Sequence, residues 1–180
     1  MRKFSVEMSL ILNGEYYPDS DNIVHINLEN GISEVNDTLT IKTIESDINL
    51  KQGTYYFKIF AAFISNAKLS DDNGNFFNFI VTDFLTDEKF IGFVDEIEKR
   101  SIFKTGVNVQ PDDKLITLVT CSHEFDSARL VVVGRLLREN EEPTVNVNDA
   151  SINTVPKYPQ AWYDAKDMAN PYKNDICWTP

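Results

Sequence analysis

A cysteine and an arginine sit at a spacing that invites chemistry. Cys121 follows the run Leu115-Ile-Thr-Leu-Val-Thr120, and Arg129, eight positions on, precedes a second run from Leu130 to Leu137. Two runs rich in β-branched residues flanking a short polar segment read as strand, loop, strand. The first strand delivers a thiol to the rim of a sheet, and the second begins with a guanidinium. A thiol attacks only as thiolate, and an ordinary one, with a pKa of about 8.5, is mostly protonated at neutral pH. A guanidinium nearby favours the thiolate and can also hold negative charge developing on a carbonyl oxygen. A plainer reading stands beside this one. Free cysteines are among the most buried residue types, so Cys121 can equally be a small core residue and Arg129 a surface cation.

Thr117-Leu118-Val119-Thr120-Cys121 resembles the T-L-x-T-C motif of sortases, with an arginine opening the next strand as in that family. The surrounding Asp112-Asp-Lys-Leu-Ile-Thr-Leu118 and Ala128-Arg-Leu-Val-Val-Val-Gly134 are similar to class B sortases, particularly clostridial ones. The likeness runs from about Thr38 to the C-terminus. It implies a mainly β fold, a sortase-like closed β-barrel of roughly eight strands, with one substantial helix in the connection before the cysteine strand. It also implies a cysteine transpeptidase. Cys121 attacks the threonine carbonyl of a surface protein's sorting motif, of the asparagine-proline-x-threonine kind. Arg129 binds the oxyanion or the motif's carbonyls, and Thr120 helps to shape the peptide groove. The thioacyl-enzyme is then taken by a peptidoglycan-precursor amine. No metal or organic cofactor is needed.

The family also requires a histidine to exchange protons with the leaving and attacking amines. His25 lies in Ile23-Val-His-Ile-Asn-Leu-Glu-Asn-Gly31, 96 residues before Cys121, a separation close to that of a class B domain. Its surroundings keep only a strand, the histidine and an Asn-Gly turn of the Tyr-Gly-His-Asn-Met-like tract expected there. A structural histidine on a strand face is the competing reading. His123, two residues after the cysteine, is placed to influence the thiol's charge rather than to act as its partner. Three functional readings follow: an active sortase-type transpeptidase, a truncated or degenerate sortase domain that only binds sorting peptides, and a cysteine hydrolase that releases the peptide to water.

The chain's 180 residues suit a single domain with a real core, and 42% hydrophobic with 12% aromatic residues is a globular composition. A net charge of −11 repels a phosphate backbone, so nucleic acid is set aside as a partner. Cys121 and Cys177 make neither a disulfide framework nor a zinc site, though one disulfide between them would silence a catalytic thiol. The N-terminus begins like a signal peptide and fails, its apolar run broken by Ser5, Glu7 and Ser9. No apolar run is long enough for a membrane span, although membrane association and a cell-surface location are expected from the family. The chain thus looks like a shortened sortase, or one whose upstream part lies outside this sequence.

The organisation expected is a divergent segment over 1–37, a catalytic core over 38–139 and an extension over 140–180 that packs back on the core. Strand-like alternation covers 22–28 and 38–43. Thr54 to Ile64, apolar, aromatic and β-branched, reads as a central strand. Ser70 to Asn75 is a turn, and Phe76 to Phe84 is a strand or a loop with aromatic anchors. Thr86 can cap a helix whose stripe is Phe90, Phe93, Val94 and Ile97, with Asp87 and Glu88 at one end and Lys99 and Arg100 at the other. Glu139 to Glu142 reads as a solvated turn. The tail, with Tyr158, Trp162, Tyr163, Tyr172 and Trp178, is too aromatic for a free linker.

Overall fold

The computed structural model describes residues 5–12, 15–16, 24–27, 56–81, 84–176 and 178–179. Its regular elements are β1 (Ser5–Leu12), β2 (Glu15–Tyr16), β3 (Val24–Asn27), β4 (Phe57–Asn66), α1 (Asp87–Arg100), β5 (Phe103–Lys104), β6 (Leu115–Cys121), β7 (Ala128–Leu136), β8 (Ser151–Ile152) and α2 (Gln160–Ala165). The main sheet runs β2-β1-β6-β7-β4, β3 also pairs β1, and β5 pairs β8. Every pairing among the described residues is antiparallel. The fold is therefore mainly β, with the expected helix between β4 and the cysteine strand. The described strands leave the sheet open, so they do not form the closed barrel that the resemblance implies. The strand expected over 38–43 lies outside the described residues.

β7 is the spine. It shares nine register pairs with β4 and seven with β6, interrupted by one bulge between Ile59 and Ala61. Alternate residues of a strand face opposite sides, so Val131 and Val133 share a face with Val119, Phe63 and Ala61. With Phe60 of β4 these are the sheet's share of the main core cluster, none more than 5% exposed. β4 ends the described sheet, and its outer edge is covered by the segment after α1. Ile102 N donates to Ala62 O (2.8 Å), Ala62 N donates to Ser101 Oγ (3.1 Å) and Thr105 Oγ1 donates to Phe60 O (3.2 Å). An edge left unpaired would invite association with another strand.

α1 forms where its caps and stripe direct. Thr86 Oγ1 accepts from Lys89 N, acidic residues occupy the first turn and basic ones the last. Phe90, Phe93, Val94 and Ile97 are buried against the sheet and against the Phe77 and Phe79 rings. The stretch 76–81 is thus a loop with aromatic anchors rather than a strand. Arg100, also buried, pairs with Glu96 one turn back and lies 4.2 Å over the Phe77 ring. The tail packs along the same helix. Lys157 N donates to Lys99 O (2.9 Å), and Trp178 stands 5.3 Å from Phe93. A Cβ at residue 92 would meet Trp178 Nε1 at 2.8 Å, so Gly92 permits that approach.

Two segments depart from expectation. Residues 5–12, read as a broken apolar run, form β1 and pair with the cysteine strand through Ser9↔Val119, Leu10↔Leu118 and Ile11↔Thr117. Glu141, read as part of a solvated turn, accepts two bonds from the buried Arg135 guanidinium (2.7 and 2.6 Å) and lies 2.8 Å from Lys58 Nζ. A buried guanidinium needs a carboxylate, and local sequence did not reveal which one would supply it.

Candidate active site

Cys121 is the last residue of β6, and its thiol is free and exposed. That exposure removes the reading in which it is a core residue. Its register partner is Arg129. Ser122 N donates to Ala128 O (3.0 Å), which makes 122/128 a hydrogen-bonded pair. The next rung, 121/129, is then of the non-hydrogen-bonded kind, whose side chains stand closest, with Cβ atoms about 5 Å apart on one face. The structure thus brings the thiol and the guanidinium to the same edge of the same face. Ser65 of β4, buried, completes the row across Arg129. The row beneath is Phe63, Val131 and Val119, so the site stands one step above the apolar core.

Arg129 is half-buried, and its Nη1 donates to Ala128 O (2.9 Å). Among the described residues this is its only side-chain hydrogen bond, so the rest of the guanidinium fork has donors to offer. Thr120 sits on the opposite face from the thiol, paired with Leu130. His123 is exposed in the loop after the cysteine. His25 lies in β3, where its register partner is Glu7. Following β1 in the direction in which β6 runs toward Cys121 leads from Ser9, opposite Val119, to Glu7. The register thereby puts the backbone of His25 at the thiol's end of the sheet. Cys177 lies outside the described residues.

Charge around the loop is mixed. Glu124 pairs with Lys166 at 3.1 Å, and Asp126, in the same loop, is exposed. Burial, and then the Glu124 charge, push the Tyr158 hydroxyl above its ordinary value. Among the described residues no group of three or more His, Cys, Asp or Glu is gathered to hold a metal ion. No helix of the described residues is long and apolar enough to cross a membrane. The residues that reading the sequence missed are Ser127, which lies in the loop itself, and Ser65, Asp71 and Lys166, which reach the cysteine region only through tertiary contacts. No local motif marks them.

No family model matches the chain. Sortase B of Staphylococcus aureus (strain NCTC 8325 / PS 47) is 32% identical to it over 99 residues. Over that span the chain is homologous to sortase B. The match takes in 54% of the chain and 36% of the relative, so the chain corresponds to about a third of the sortase's length. Solved structures align similarly in part. A crystal structure of Staphylococcus aureus sortase B gives a TM-score of 0.39 at 32% identity, covering 48% of this chain and 38% of that one. Clostridium perfringens sortase B gives 0.41 at 29%, covering 49% and 45%. A Staphylococcus aureus sortase B–substrate complex gives 0.39 at 30%, covering 49% and 38%.

Proposed function

We propose that this chain carries the cysteine centre of a class B sortase-type transpeptidase, with residues 38–139 as its catalytic core and 140–180 as an extension. The observation that carries the reading is the exposed Cys121 thiol directly across from Arg129 at the end of the core face. The sortase B homology supports it. The open sheet is read as part of a sortase barrel, on a protein held at the outer face of the membrane.

The Cys121 thiolate attacks the carbonyl carbon at the threonine of a sorting peptide, and the carbonyl π pair moves onto oxygen. Arg129 donates to that oxyanion, a contribution of about 3 kcal/mol for one well-placed donor. As the intermediate collapses the C–N bond breaks, and His25 gives the departing amine its proton. A thioester remains on Cys121. A peptidoglycan-precursor amine then attacks the thioester carbonyl, loses its proton to the same imidazole and expels the thiolate. Thr120, whose side chain faces away from the thiol, shapes the groove only through the backbone that leads β6 into Cys121.

The test is incubation with a sorting-motif peptide and an amine such as triglycine, followed by mass spectrometry. Ligated product is expected, and none from Cys121→Ala. Release to water alone would make the protein a hydrolase, and binding without turnover would make it a degenerate domain; either result removes the transpeptidase. His25→Ala beside His123→Ala identifies the proton carrier. Ligation should vanish in the first and survive in the second.

A further inference from the structure

Cys121 and Arg129 form the last strand rung of the β6–β7 ladder, with the Ser122 N to Ala128 O bond just beyond it. Terminal rungs are where strand pairs open first, yet a reacting pair must hold its geometry closely. Several contacts beyond the rung prevent opening. The six residues between the strands end in Ser127, whose φ of 63° is left-handed and uncommon for a residue with a side chain. Such a backbone persists where its surroundings over-determine it. Here Ala67 N, just past β4, donates to Ser127 O (3.1 Å), and the Ser127 hydroxyl donates to the Asp71 carboxylate.

Asp71 belongs to the 3-10 turn Leu69–Asp72, and its neighbour Asp72 is committed elsewhere. Pro159, at the N-cap of α2, has no side-chain acceptor, and Asp72 fills that place from 88 residues upstream by accepting from Gln160 N (2.8 Å). Just past the other end of α2, Lys166 pairs with Glu124 (3.1 Å), inside the loop that follows Cys121. Lys166 also lies 5.0 Å over the Trp162 ring, which stacks on Tyr158 at 3.8 Å. The contacts close a circuit from the loop through Ser127, Asp71, Asp72, Gln160, α2 and Lys166 back to the loop at Glu124.

We propose that this circuit makes α2 and the 69–72 turn a positioning device for the reacting pair, with Asp71 as its chief positioning residue and the Lys166–Glu124 pair as its second tie. The proposal rests on the reading of Cys121 and Arg129 as that pair. Without the Asp71–Ser127 contact the left-handed turn keeps only its backbone bond from Ala67 N, and Arg129 holds its place opposite the thiol less closely. Hairpin register is set by the turn, so the loss falls on the geometry of the last rung rather than on the ladder below it. The Lys166–Glu124 pair is about two-fifths exposed on each side, which suits it to fixing an angle rather than to holding the fold together.

The experiment compares Asp71→Ala, Asp71→Asn and Lys166→Met with the wild type in peptide–amine transfer, in the rate at which iodoacetamide alkylates Cys121, and in melting temperature. Asp71→Ala should lower kcat about tenfold or more with KM within about twofold, the mark of an interaction needed in the transition state. It should also change the alkylation rate severalfold. Asp71→Asn, whose side-chain oxygen still accepts from Ser127, should restore most of both. Lys166→Met should show a smaller change in the same two readouts with its melting temperature unmoved. A lowered melting temperature with kcat and alkylation unchanged would reduce the circuit to scaffolding, as would an Asn variant no better than the Ala one. Should the wild type transfer no peptide, the transpeptidase reading fails. The alkylation rate, which needs no peptide, still decides whether Asp71 governs the thiol's surroundings.

Discussion

β7 carries an arginine near each end of the same face, and the two have opposite circumstances. Arg135 is 2% exposed, held by both oxygens of Glu141, bonded to Leu136 O (3.1 Å), and within 3.9 Å of Asp113. Lys58 and Arg138 extend that end into a network. Arg129, six residues earlier, is half-buried and holds one backbone carbonyl among the described residues. Residue type and strand face are identical, so neither decides the role. The carboxylates do. Where Glu141 and Asp113 converge the cation is structural, and where none is bonded the cation is presented to solvent beside a thiol.

Removing each arginine separates the two ends. Arg135→Ala takes the guanidinium from both oxygens of Glu141, leaving that carboxylate to Lys58 and Asp113 to Arg138, so the loss should fall toward the lower end of the about 3–5 kcal/mol that breaking a buried pair from one side costs. A urea titration should show that loss, with activity falling only as the protein unfolds. Arg129→Ala should lower kcat/KM for peptide transfer by roughly 10²–10³-fold while the urea midpoint stays where it was. Equal stability losses in the two variants would erase the distinction between the ends.

Acid gives a milder test. The Arg135 guanidinium holds Glu141 well below its ordinary 4.5, and Lys58 assists. Asp113, pushed up by burial, is nonetheless brought below its ordinary value by its bond from Arg138. Depressed carboxylates stabilise the fold above their unfolded values and lose that contribution as the pH falls toward the folded ones. Stability should therefore decline below about pH 4.5, and Glu141→Gln should flatten that decline. An unchanged slope would mean that Glu141 is not coupled to folding. At the Arg129 end, Lys166→Met removes an exposed pair and should leave the melting temperature where it was.

Much of the geometry around the cysteine is local, and so it was legible. β-branched runs on either side of a six-residue loop specify a hairpin, and the hairpin makes Cys121 and Arg129 neighbours. α1 was equally readable, because Thr86, the apolar stripe and the terminal charges all lie within it. β1 was obscured because its polar residues, Ser5, Glu7 and Ser9, were read as interruptions, although they alternate with Val6, Met8 and Leu10 at the period of a strand. The partners of Arg135 and Ser127 were not readable. Asp71 lies 56 residues from Ser127, and nothing in a carboxylate's neighbours announces a distant hydroxyl. Thr120 was legible as part of a motif, but the pleat of β6 turns it away from the thiol.

The chain has two tryptophans, and both belong to the tail. Trp178 lies over Gly92 against Phe93, and Trp162 lies flat on Tyr158. Indole emission, excited apart from tyrosine, is therefore an optical gauge of tail attachment with no contribution from the strands. During gentle denaturation, emission timed against loss of the sheet's circular-dichroism signal tells whether the tail detaches before the hairpin comes apart.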